Sequence, residues 1–157
     1  MSDDLKSRLD AVLARKRTIE EGAASKAAEE QRAEEQKLAE EARKRDEIER
    51  DWLVQQNQLT KAITEINQTL AHHGLRFESE DQDALDSAVK RIKLILKHGT
   101  GLSEATITLS TIGQVTISDR TLRFTGGEKS FHVSDFSGDR YTEAMVRMLE
   151  RLYPKRP

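Results

Sequence analysis

Four groups of side chains in this sequence invite a chemical reading. His72-His73 are the residue type of a metal site. Adjacent residues on a helix point about 100° apart, so the two do not chelate as an i, i+4 pair would. No carboxylate or third histidine stands at ligand spacing from them, so no metal is expected. His132, Ser134 and Asp135 could be drawn as a nucleophilic triad, but side chains of neighbouring strand residues alternate sides and do not converge. Gly126-Gly127-Glu128-Lys129 followed by Ser130 has the composition of a phosphate loop without its spacing or the helix that must follow. A hairpin turn is the plainer account.

The fourth group is cationic. Lys90, Arg91, Lys93 and Lys97 form the surface of the chain best suited to phosphate contact. With Arg120 and Arg123 they suggest an alternative function, a nucleic-acid-associated regulator. No aromatic stacking residues stand beside these bases, which argues against sequence-specific single-strand readout. Arg15-Lys16-Arg17 makes a smaller basic cluster that reads as a solvated helix face. No nucleophile elbow, H-E-x-x-H pattern or glycine-rich lysine loop occurs. With no cysteine, disulfides, cysteine-ligated zinc and thiol catalysis are excluded. No catalytic residue, metal or cofactor is expected, and the chain does not read as an enzyme.

The elements that would carry these groups follow from composition. Of 157 residues, 36% are hydrophobic and 34% charged, against roughly 45–50% and 25% in globular chains. The deficit is local. Glu20 to Asp51 is almost wholly Ala, Glu, Lys, Arg and Gln, residues that lose little on entering a helix. Pairs such as Glu40 with Lys44 reinforce it, each contributing roughly 0.2–0.5 kcal/mol. The stretch lacks an apolar stripe wide enough for a globular core, so it predicts a solvated rod or weak coiled coil. Net charge is −2, which gives no general attraction to nucleic acid or membrane. Met1–Arg17 has no apolar signal segment and nothing approaches a membrane span, so a cytoplasmic protein is expected.

Before the rod, Ser2 or Asp3 can cap a first helix. Leu5, Leu9, Val12 and Ile19 follow a coiled-coil spacing that Lys16 interrupts. Gly22 marks the expected break between an N-terminal amphipathic helix (1–22) and a long charged helix or coiled coil (23–74). Around Leu38 the phase slips, and a second seam runs through Ala42, Arg45, Glu49, Trp52, Gln56, Leu59, Ile63, Ile66 and Leu70. Trp52 to Leu70 is the convincingly amphipathic part, closed by Gly74.

A small α+β domain is expected over 78–154. Ser79-Glu80-Asp81-Gln82 has the form of a capping box opening a helix, with Leu85, Ala88, Val89, Ile92, Ile95 and Leu96 on one face and Gly99 and Gly101 ending it. From Glu104 the period changes to two, predicting a four-stranded antiparallel meander around Ile107–Leu109, Val115–Ile117, Leu122–Phe124 and Phe131–Val133. A last helix, from Asp135–Asp139 to Tyr153, is striped by Tyr141, Met145, Met148, Leu149 and Leu152 and stopped by Pro154. The expected architecture is thus a long N-terminal helix or coiled coil followed by a two-layer domain of helix, four strands and helix. A helix of about fifty residues would span roughly 75 Å, beyond a small domain's reach. Leu5, Leu9, Val12, Ile19, Leu38, Trp52 and Leu59 therefore predict a seam for a partner helix. The expected function is structural or adaptor-like, through self-association or a protein partner, with the small domain docking a partner.

Overall fold

The computed structural model describes residues 2–84, 88–119 and 129–155. They form one helix, α1 (Asp3–Leu70), five strands, β1 (Leu75–Gln82), β2 (Ala88–His98), β3 (Gly101–Ser110), β4 (Gln114–Asp119) and β5 (Lys129–His132), and a final helix, α2 (Arg140–Leu152). The class is α+β, with a long N-terminal helix ahead of an antiparallel sheet. The chain divides into two units, Met1–Lys44 and Arg45–Pro157.

The first unit is a stretch of α1. Ser2 caps it, its hydroxyl accepting from the Leu5 N–H at 3.3 Å, and Asp3 and Asp4 lie in the first turn, where the helix dipole favours acids. The helix passes through Gly22 without the break expected there. The good helix formers on both sides outweigh a glycine cost of about 1 kcal/mol. Glu40 and Lys44 do pair, at 3.9 Å, with both side chains largely exposed. Every residue from 2 to 41 is exposed.

The second unit has two layers. Its sheet is a simple antiparallel meander in the order β1-β2-β3-β4-β5. Alternation puts Phe77, Leu94, Leu96, Ile107, Leu109, Val115, Ile117 and Phe131 on one face, all buried. That face is covered by the C-terminal part of α1 and by α2. From α1 come Ile48, Trp52, Leu59, Ala62, Ile63, Ile66 and Leu70; from α2 come Tyr141, Met145, Met148, Leu149 and Leu152. Full burial of each large apolar side chain is worth roughly 1.5–3 kcal/mol, so this single cluster dominates the unit's stability. The other sheet face carries Lys93, Thr106, Thr108, Thr116 and Ser118, and none of these is buried.

Two expectations require correction. The helix expected after Ser79 is absent: Ser79–Gln82 lies inside β1, and 88–98 is β2. The sheet therefore has five strands among the described residues, not four. The physical reason is visible in β2, where Ile92, Leu94 and Leu96 alternate with Arg91, Lys93 and Lys97 and share the sheet's buried face. Gly99 and Gly101 serve a hairpin turn instead of a helix end. Gly99 takes φ +61°, and a Cβ on Gly101 would lie 2.5 Å from the His98 ring. Leu85, the strand expected at Leu122–Phe124 and the Gly126-Gly127 turn lie outside the described residues.

Candidate functional site

The side chains proposed for a partner helix fall into two sets. Leu5, Leu9, Val12, Ile19 and Leu38 are 51%, 47%, 55%, 71% and 58% exposed. The first four share one edge of the helix, and Leu38 stands one position off its continuation. Trp52 and Leu59 are different, each only 3% exposed. They belong to the core of the second unit, packed among the buried residues of the sheet and α2, and so are withdrawn from the seam. Leu13, 53% exposed, stands one position away from the 4-3 spacing and so falls outside the predicted seam. Its signal in the sequence is only that it is apolar and lies a helical turn from Leu9.

A polar residue is buried between Trp52 and Leu59. Gln55 is 1% exposed. Its amide donates to the carbonyls of Val133 at 2.8 Å and Asp135 at 3.1 Å, and its oxygen accepts from the Tyr141 hydroxyl at 2.8 Å. A buried amide is tolerable only when satisfied in this way. Burial also pushes the Tyr141 phenol well above its ordinary pKa. The segment after β5 is thereby pinned to both helices. Asp135 adds a second clamp, taking Arg140 at 2.6 Å and the Ser137 backbone and hydroxyl. The Arg140 and Ser137 hydrogen bonds hold its carboxyl far below the usual carboxylate range. The Arg140 guanidinium in turn sits 4.1 Å above the Phe131 ring.

The cationic quartet does not lie on a helix face. Lys93 is bound to Glu104 at 2.9 Å and Lys97 to Glu78 at 2.9 Å, while Arg91 is half-buried on the open sheet face and Lys90 is exposed. The hydrogen bond from Lys97 holds the Glu78 carboxyl below its ordinary range. Two of the four cations are therefore neutralised by carboxylates of neighbouring strands, which weakens the field a phosphate would meet. Arg120 and Arg123 lie outside the described residues.

His132 and Ser134 do meet, Nδ1 to Oγ at 2.6 Å, as a turn contact at the end of β5. Asp135 points its carboxylate to Arg140 and Ser137 instead, so the three do not form a relay. His72 and His73 lie in the turn after α1 and are exposed. Among the described residues, no three His, Cys, Asp or Glu side chains are placed to hold a metal ion. No helix of the described residues is long and apolar enough to cross a membrane.

No protein-family model, curated protein or solved structure matches this chain.

Proposed function

We propose that this is a structural or adaptor protein that works by pairing the first unit of α1 with another helix, the α+β unit serving as the docking part of the assembly. The observation that supports this reading is the contrast between two apolar surfaces of one helix. Ile48, Trp52, Leu59 and Ala62 are enclosed by the second unit, whereas Leu5, Leu9, Val12, Ile19 and Leu38 remain open to water within the first. Each exposed leucine or isoleucine forgoes roughly 1.5–3 kcal/mol that burial would return. A helix offering the complementary stripe supplies that burial with the fewest other requirements.

The test compares the full chain with its Leu9→Glu/Val12→Glu variant, by light scattering and by affinity capture from native lysate. Both substitutions lie on exposed positions, so the fold of the second unit is unaffected. The expected result is loss of self-association, or of a specific captured protein, in the variant alone. A variant indistinguishable from the parent in both measurements would sink the reading.

A further inference from the structure

We propose that residues 2–26, the cap and first turns of α1, pair antiparallel with the same residues of a second copy, about a two-fold axis passing beside Leu13. This rests on the helix-pairing reading above and adds to it the identity of the partner and its direction. The argument begins with Leu13. If Leu9 and Lys16 occupy a positions and Leu5, Val12 and Ile19 d positions, Leu13 falls at e, on the flank of the seam. It is nonetheless apolar and 53% exposed. In a parallel pair the two-fold runs along the helices, each e position faces a g position, and Leu13 would be set against Arg8. In an antiparallel pair the two-fold is perpendicular, e faces e, and Leu13 meets Leu13 of the second copy.

The same register satisfies the rest of the segment. Leu9 packs on Ile19 of the second copy and Leu5 on Ala23, so each large apolar residue between 5 and 19 acquires an apolar or aliphatic neighbour. Lys6 stands opposite Glu20 of the second copy, a favourable pair that the symmetry makes twice. Lys16 decides most clearly between directions. A parallel pair would stack Lys16 on Lys16 inside the seam. The antiparallel pair lays its stem along Val12, with the ammonium free to reach Glu20 of its own chain, 3.6 Å away. Arg15 is the opposing contribution, since it meets its own copy across the axis. The overlap is about 37 Å of helix with two charged residues per chain in the seam, Lys16 and, at its end opposite Ser2 of the second copy, Lys26, which makes a weak, concentration-dependent dimer.

The chain has no cysteine, so single substitutions give unambiguous cross-links. Full-length Leu9→Cys, full-length Ile19→Cys and an equimolar mixture are oxidised under identical conditions, and disulfides are identified by mass. In the proposed pair, positions 9 and 19 face each other, whereas position 9 lies about 15 Å along the helix from its own copy. The expected result is a mixed disulfide in the mixture, at least about tenfold faster than either variant links to itself, because paired thiols meet at millimolar effective concentration. Leu9→Cys linking preferentially to itself indicates a parallel pair and overturns the proposal while leaving helix pairing standing. No preferred link in any sample also overturns it. Light scattering of the unsubstituted chain then tells whether pairing itself fails, with a one-chain mass, or only this register, with a two-chain mass.

Discussion

Single polar residues decide how the second unit closes. Gln55 stands at the place in the α1 stripe where a hydrophobic-only reading selects Gln56, and nothing in the residue type separates the two. The structure chooses Gln55 because it lies between Trp52 and Leu59 on the buried edge and finds three partners there. Replacing it with alanine strands the Tyr141 hydroxyl and the Val133 carbonyl in the core. We expect Gln55→Ala to cost about 3 kcal/mol, at the upper end of the range for a buried unsatisfied group. A urea midpoint unchanged within error would refute that role. Asn67 acts at the sheet edge, donating to the Phe77 carbonyl at 2.9 Å and accepting from the Phe77 N–H at 2.8 Å. It substitutes for the neighbour that edge strand β1 lacks. Asn67→Asp keeps the acceptor and loses the donor, so it should be less stable than the parent by about 1–2 kcal/mol. Chemical denaturation monitored by Trp52, the only tryptophan, measures both effects.

At the scale of elements, the pattern of success and failure follows from how many periods a stretch satisfies at once. The α2 stripe and the alternation in β3 and β4 fit one period only, and the elements stand where the sequence indicates. The run from Val89 to Leu96 fits both. Val89, Ile92, Ile95 and Leu96 make a helical face, while Ile92, Leu94 and Leu96 make a strand face. The second wins because Phe77 and Ile107 stand beside it on the same buried surface, and a local reading has no access to those partners. Pairing across elements also predicts a response to pH. Lys97 lowers the Glu78 pKa, Lys129 that of Glu143, and Arg140 and Ser137 that of Asp135. A carboxylate whose folded pKa is depressed stabilises above its unfolded value and ceases to do so as pH falls through the folded one. Stability should therefore decline below about pH 4.5, where unfolded Glu and Asp begin to bind protons. Asp135→Asn should flatten part of that decline, and added salt should reduce the contribution of the more exposed pairs. Urea midpoints between pH 7 and pH 3 report the outcome. A decline equally steep in the variant excludes Asp135 as a contributor.

At the scale of the whole molecule, the polar helical half and the compact half were both legible, because composition shifts sharply between them. What the sequence did not reveal was where the helix stops being exposed. Trp52 and Leu59 continue the 4-3 spacing of a coiled-coil seam, and only the sheet beneath them distinguishes core from partner surface. The two units also imply different unfolding behaviour. The second owes its stability to one buried cluster and should unfold cooperatively. The first has no buried residue between 2 and 41, and its helix rests on propensity and exposed ion pairs. On heating, ellipticity at 222 nm should fall gradually before Trp52 emission changes, then drop with it in a single transition. If helices pair through Leu9 and Val12, raising protein concentration should move the early loss to higher temperature and leave the tryptophan transition in place. Leu9→Glu/Val12→Glu should remove that concentration dependence without shifting the later transition. One coincident transition at every concentration would mean that the first unit draws its order from the second, which is incompatible with independent helix pairing.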